Sequence, residues 1–147
     1  MNLIDLKTIL IVEDNPQDVE LTIEALSSHN LANHVVAVGD GVEALDYLNY
    51  RGKYADRKNG NPSVILLDIK MPKMDGIEVL EQIRSDEKLK MLPVVMLTSS
   101  REEPDLIKCY KLGVNAYVVK PVDFKDFLDA VRQIGIFWAL LNEHPEI

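Results

Sequence analysis

Cysteine is nearly missing from this chain. Cys109 is the only one in 147 residues, so no intramolecular disulfide can form and a packed core has to supply the stability. Cys109 itself reads as a small buried hydrophobe on a helix. Basic charge is also short: 16 Lys and Arg stand against 24 Asp and Glu, a net charge of −8. Nucleic acid and anionic membrane both need a basic footprint, so neither fits as the main partner. Long hydrophobic runs are lacking. The longest near the C-terminus, residues 136–141, is far too short to span a bilayer. The first apolar stretch carries Asp5 and Lys7, which suits a strand and not a secretory leader. The single Asn-x-Ser match, Asn61-Pro62-Ser63, is void because of its proline. His29, His34 and His144 have no metal-ligand spacing. There is no internal repeat and no low-complexity segment. These absences leave one cytoplasmic globular domain over residues 1–147 as the expectation.

What is present is an alternation of strand and helix patterns, five of each. The spacing predicts strands over 7–12, 34–38, 63–67, 93–97 and 116–119. Helix one, over 16–28, opens with Asp14 or Asn15 as its cap and Pro16 in its first turn, with Val19, Ile23 and Leu26 as its apolar stripe. Helix two follows Gly39-Asp40-Gly41, with Val42, Leu45 and Leu48 on one face. Helix three covers 76–85, with Ile77, Leu80 and Ile83 inward. Helix four covers 103–112 and is stopped by Gly113. Helix five starts near Phe124. The polar stretch 51–62 reads as an exposed loop or an extended helix end. Strands one, three and four are continuously apolar, as strands covered on both faces should be. Five βα units predict an α/β domain with a parallel sheet and helices on both sides. Strand order is not legible in the pattern.

Polar residues end four of these apolar runs. Glu13-Asp14 follows the first, Asp68 the third, Thr98-Ser99-Ser100 the fourth and Lys120-Pro121 the fifth. In an open parallel sheet those ends meet at one edge, where ligands bind. Any one of these residues alone reads as an ordinary strand-end group. Together they place three acids, a hydroxyl and an amine side by side. Three clustered carboxylates repel unless protonated or metal-bound. Hard oxygen donors of this kind suit Mg2+. A metal, a lysine and a hydroxyl beside a free carboxylate suit a phosphoryl group, with Asp68 as nucleophile.

With these residues the sequence resembles the receiver domains of two-component response regulators. The matching positions are Glu13-Asp14, Asp68 in Leu66-Leu67-Asp68-Ile69-Lys70-Met71-Pro72-Lys73-Met74-Asp75-Gly76, Thr98-Ser99 and Lys120-Pro121. The resemblance implies the flavodoxin-like strand order 2-1-3-4-5. It implies Asp68 as phosphoacceptor, with Asp14 and Asp68 on Mg2+ directly. Glu13 would act through water, and the Lys70 backbone carbonyl would be a further ligand. Thr98 would hydrogen-bond the phosphoryl group, Lys120 would pair with it, and Tyr117 would be the switch aromatic. Lys120-Pro121 is expected to be cis. Asp75-Gly76 serves a turn with Gly76 at a demanding backbone position. Lys70 and Ser100 occupy positions that tune phosphate loss.

The resemblance also implies partners. A sensor histidine kinase would dock on helix one and the loop after strand five, around Asn15, Pro16, Asp18, Val19, Thr22, Pro121 and Val122. Glu13-Asp14-Asn15-Pro16-Gln17-Asp18, the polar stretch before strand three and the long final helix resemble stand-alone regulators paired with bacterial phytochrome kinases. No output domain is expected. Ile134, Ile136, Phe137, Trp138, Leu140 and Leu141 suggest a homodimer through the C-terminal helix and the face of helix four, strand five and helix five. Output would run through protein contact, or the protein would act as a phosphate sink or relay intermediate. A binding scaffold that is never phosphorylated is a further alternative. An aspartate-nucleophile phosphatase is the enzymatic rival, but its second Asp would stand where Lys70 is. Gly39-x-Gly41-x-x-Ala44 is only a loose dinucleotide fingerprint and reads as a turn and helix start.

Overall fold

The computed structural model describes residues 8–27, 34–58, 60–100, 103–114 and 116–133. In chain order these form β1 (Thr8–Val12), α1 (Pro16–Ser27), β2 (His34–Val38), α2 (Gly41–Leu48), β3 (Val64–Asp68), α3 (Gly76–Ser85), β4 (Val94–Thr98), α4 (Asp105–Lys111), β5 (Tyr117–Val119) and α5 (Phe124–Gln133). The strands make one sheet in the order β2-β1-β3-β4-β5, and every neighbouring pair is parallel. No helix among the described residues is long and apolar enough to cross a membrane.

Alternation along each strand splits the core in two. Leu10, Val12, Ile65, Leu67, Val94 and Met96 face one side, where they meet residues of α2, α3 and α4 such as Leu48, Leu80, Ile83 and Cys109. Ile9, Ile11, Val64, Leu66, Val95 and Leu97 face the other, against Leu26 of α1 and Phe127, Ala130 and Val131 of α5. Both faces of β1, β3 and β4 are therefore covered, and those strands are buried throughout. β2 lies at an edge and is only partly buried, which fits its mixed composition.

Local details refine the expectations. Asn15, not Asp14, caps α1: its Oδ1 accepts from the Gln17 and Asp18 amides at 2.8 and 3.3 Å. Thr22 is buried on α1 beside Leu26. α2 does not turn Val42 inward. Val42 is 48% exposed, because the inner face is set by Gly41, Ala44, Leu45 and Leu48, and residue 42 lies about 100° away around the helix from residue 41. On α3, Val79 is buried with Leu80 and Ile83, and Ile77 is only partly covered. α4 ends before Gly113, whose φ is 88°. The Lys120-Pro121 bond is cis. Cys109 is free and buried, and burial pushes its thiol up to about 11.

The polar segment after α2 is more ordered than a loop. A single 3-10 turn, Gly52–Tyr54, brings Tyr54 edge-on to Tyr47, with centroids 5.1 Å apart. The Tyr54 hydroxyl donates to Glu43 Oε2 at 2.6 Å. Arg57 is sandwiched, its guanidinium carbon 3.9 Å from the Tyr47 ring and 4.0 Å from the Tyr50 ring. Its Nε donates to the Tyr47 carbonyl at 2.9 Å. Residues 134–147, which include the apolar end of the expected final helix, lie outside the described residues.

Candidate functional site

Strand register brings the chemistry together. Val12 pairs with Leu67, so Glu13 and Asp68 are the next positions on adjacent strands. Asp68 pairs with Leu97 and Thr98 with Val119, and Lys120 follows at the end of β5. Two backbone bonds extend the ladder past the strands: Glu13 N–H donates to the Val38 carbonyl at 3.1 Å and Lys120 N–H to the Thr98 carbonyl at 2.8 Å. The side chains are thus fixed by the sheet and not by loose loops.

The polar residues there are deeply placed. Glu13, Asp68 and Thr98 are 3, 4 and 2% exposed, while Asp14 is exposed. Lys120 Nζ lies 3.1 Å from Glu13 Oε1, 3.3 Å from Asp68 Oδ2 and 3.3 Å from Asp18 Oδ2. Burial opposes the charge on Lys120, but the Asp68 and Glu13 carboxylates outweigh it and hold the ammonium well above its ordinary range. Glu13 moves the other way for a carboxyl. Burial, its hydrogen bond with Asp68 and the Asp68 charge raise it from 4.5 to about 7, against the lowering pull of the Asn15 amide and Lys120. One cation cannot satisfy every acid here.

Behind Asp68 the chain folds back on itself. The Gly76 amide donates to the Ile69 carbonyl at 2.8 Å. A side chain at residue 76 would strike the Asp68 carbonyl oxygen, and its Cβ would lie 2.8 Å from Ile69 Cα. Asp75 caps α3 in a capping box with Glu78. The demand on Gly76 is therefore close approach and not a left-handed turn.

The site opens into a cavity of about 250 Å3, lined by Glu13, Asp14, Asp68, Lys70, Thr98 and Lys120 among others. Of the residues given a role at the phosphoryl site by the resemblance, Ser100 and Tyr117 are not in this lining. Tyr117 lines a separate cavity with Tyr110 and Asp126. Thr98 borders the acids without bonding to them: its hydroxyl donates to the Ser100 carbonyl at 2.9 Å. The Lys70 amide donates to Asp68 Oδ1 at 3.3 Å, and its ammonium reaches outward to Glu103 Oε1 at 3.5 Å. Two acidic lining residues were not foreseen as part of the site, Asp18 and Glu103. Neither ends a strand, so the strand-end signal passes over both. Asp18 stands in the first turn of α1, three positions after the Asn15 cap that accepts from its amide at 3.3 Å.

Carboxylate oxygens of Glu13, Asp14 and Asp68 lie within 4.8 Å of one another. All three are hard donors, one is exposed to solvent, and two are buried beside like charge. That donor set fits a divalent cation such as Mg2+, which takes a few carboxylates and keeps several waters. A bound cation would also offset the Asp68 charge, which adds to burial in raising Glu13.

Comparison with known proteins agrees with this geometry. Residues 9–132 match the response regulator receiver domain family. Response regulator Rcp1 of Synechocystis sp. is 39% identical over 132 residues, 90% of this chain and 88% of its own length. Its Mn(2+)-bound structure superposes with a TM-score of 0.72, covering 90% of this chain and 94% of that one. The bacteriophytochrome response regulator AtBRR is 59% identical with a TM-score of 0.86, covering 94% of this chain and 99% of that chain. The phosphorylated cyanobacterial phytochrome response regulator RcpA is 43% identical with a TM-score of 0.73, covering 90% of this chain and 94% of that one. An acid-lined pocket at the end of a 2-1-3-4-5 sheet, on a chain matched along this length, makes the protein a member of the response regulator receiver family, the Mg2+-binding partners of histidine kinases in two-component signalling.

Proposed function

We propose that Asp68 accepts a phosphoryl group from a phosphohistidine of a sensor histidine kinase, and that the new charge switches a protein-contact surface. One observation carries this reading: a 4% exposed carboxylate at the end of a central strand, 3.3 Å from a lysine and facing an open acidic cavity. An Asp68 oxygen attacks phosphorus, an O–P bond forms, and the N–P bond of the phosphohistidine breaks. Its electron pair returns to the imidazole nitrogen. Lys120 donates to the arriving phosphoryl oxygens. Thr98 exchanges its bond to Ser100 for one to the phosphoryl group, and Tyr117 moves inward as Thr98 shifts. Asp14 and Asp68 would hold Mg2+ directly, Glu13 through water, with the Lys70 carbonyl as a further ligand. The bound ion supplies positive charge against the phosphoryl oxygens.

Lys70 occupies the place where a phosphatase would keep an acid. The protein therefore performs its own phosphotransfer and slow phosphate loss, without turning over external substrates. The likeness to AtBRR and RcpA supports a phytochrome as the kinase. Residues 1–147 act as one domain in the cytoplasm. Output runs through the α4–β5–α5 face, where Ile107 and Tyr110 are 64 and 46% exposed. That face supports a homodimer, which light scattering would reveal as a doubled mass.

The test is intact mass after incubation with Mg2+ and acetyl phosphate. One labile phosphoryl group is expected on the wild type, and none on Asp68→Asn or without Mg2+. An adduct that survives Asp68→Asn refutes the assignment.

A further inference from the structure

Asp18 belongs to α1, away from the strand ends that the proposed reaction uses. Its carboxylate nevertheless reaches the reacting centre through Lys120. An ammonium has three N–H donors. Here three acceptors meet them: Glu13 Oε1 at 3.1 Å, Asp18 Oδ2 at 3.3 Å and Asp68 Oδ2 at 3.3 Å. A lysine head on its four-carbon stem has no preferred aim of its own, so its direction is set by whatever it bonds. The Lys120, Glu13 and Asp18 side chains are 18, 1 and 28% exposed, which separates this cluster from a screened surface pair. Asp18 is itself held in place. Its amide is bonded by the Asn15 cap at 3.3 Å, and α1 is pinned to the core by Thr22 and Leu26.

We infer that Asp18 is a positioning residue for phosphoryl transfer: with Glu13 it occupies two of the Lys120 donors and so aims the third at Asp68 and at the phosphoryl group formed there. The inference rests on the assignment of Asp68 as phosphoacceptor. If Asp18 is lost, Lys120 keeps two acceptors and a spare donor. Its head then turns deeper between Glu13 and Asp68, and the third donor no longer points where phosphoryl oxygens arrive. Because Asp18 sits on α1, a displacement of that helix's first turn is felt at Lys120.

The experiment measures the rate of labelling by acetyl phosphate with Mg2+, by intact mass. Wild type, Asp18→Ala and Asp18→Asn are compared, each also on a Lys120→Gln background. Asp18→Ala is expected to slow labelling about tenfold, the rate equivalent of one hydrogen bond to a charged group. Asp18→Asn keeps an acceptor for Lys120 and should stay within about twofold of wild type. On Lys120→Gln, replacing Asp18 should change nothing further, since it acts through the lysine. If Asp18→Ala fails to fold, Asp18→Ser replaces it; serine keeps a polar group on α1 but is too short to reach Nζ. An unchanged rate in Asp18→Ala overturns the inference. So does equal acceleration in Ala and Asn, which would mean simple charge repulsion of the donor, or slowing that persists on Lys120→Gln. An unlabelled wild type is a different failure, because it removes the Asp68 assignment itself.

Discussion

Replacing Lys120 by methionine removes the cation shared by Glu13, Asp18 and Asp68 while keeping most of the side chain's volume. Removing one partner from a buried ion pair costs about 3–5 kcal/mol, since the remaining charge is left uncompensated. The two innermost acids are nearly sealed, with side chains 1 and 6% exposed, so that range applies at pH 8 without metal. Lower pH should soften the cost. Glu13 has its folded-state value raised from 4.5 to about 7. Its contribution therefore favours the fold below pH 4.5 and is lost as pH rises through about 7. Lys120 is raised as well, so it stays charged throughout that window and its own contribution fades only in strong base. At pH 5.5 Glu13 is mostly neutral with or without the lysine, and the penalty should fall to about 1–2 kcal/mol. Urea unfolding of both proteins at the two pH values measures this directly, with an unchanged slope as the control. Millimolar Mg2+ should recover part of the loss at pH 8. A penalty below about 1 kcal/mol at pH 8, or one of equal size at both pH values, would refute the electrostatic reasoning.

Other substitutions probe the surrounding structure. Gly76→Ala drives a methyl group into the Asp68 carbonyl; it should cost about 1–3 kcal/mol in thermal unfolding and slow labelling by acetyl phosphate. Arg57→Ala removes two ring contacts and a carbonyl bond at 2.9 Å, a loss of about 2–3 kcal/mol in urea, and Arg57→Lys should restore less than half of it. Burial opposes the Glu43 charge, yet the Tyr54 hydroxyl, the Gly39 amide and Lys53 hold its carboxyl below the ordinary 4.5. Its stabilisation is present above that value and lost as pH falls through the lower one. Tyr54→Phe should therefore flatten the acid limb of the stability curve.

Much of the fold was legible because each signal stood where a single physical cause dominates. Val64 to Leu67 is apolar at every position since both faces of β3 are covered, and Asp68 ends that run because the sheet edge opens to a cavity. The strand-end acids, Thr98 and Lys120 were visible for the same reason. Asp18, named in the sequence only as a docking residue, and Glu103 were not placed in the site, because neither ends an apolar strand run. Thr22 hid in the inner face of α1 because its hydroxyl reads as surface. Val42 misled in the other direction, since the inner face of α2 is defined by Gly41, which carries no hydrophobic signal. The segment after α2 looked like a loop because Tyr50, Tyr54 and Arg57 have no period. Their order comes from the Arg57 guanidinium lying over the Tyr47 and Tyr50 rings and from the edge-on contact of Tyr54 with Tyr47.

Asp68 is a rung of the sheet and not an appendage beyond it. It pairs in register with Leu97, the following Ile69 amide bonds the Leu97 carbonyl at 3.1 Å, and Gly76 closes on Ile69 at 2.8 Å. Backbone mounted this way in the centre of a buried sheet opens only with the whole domain. Shape and timing are thereby separated. Amide exchange at Ile69 should track global stability whether or not the carboxylate carries a phosphoryl group. On the proposed reading, the lifetime of that group is left to neighbours such as Lys70, whose side chain reaches outward to Glu103 and can be changed without disturbing the strand that bears Asp68.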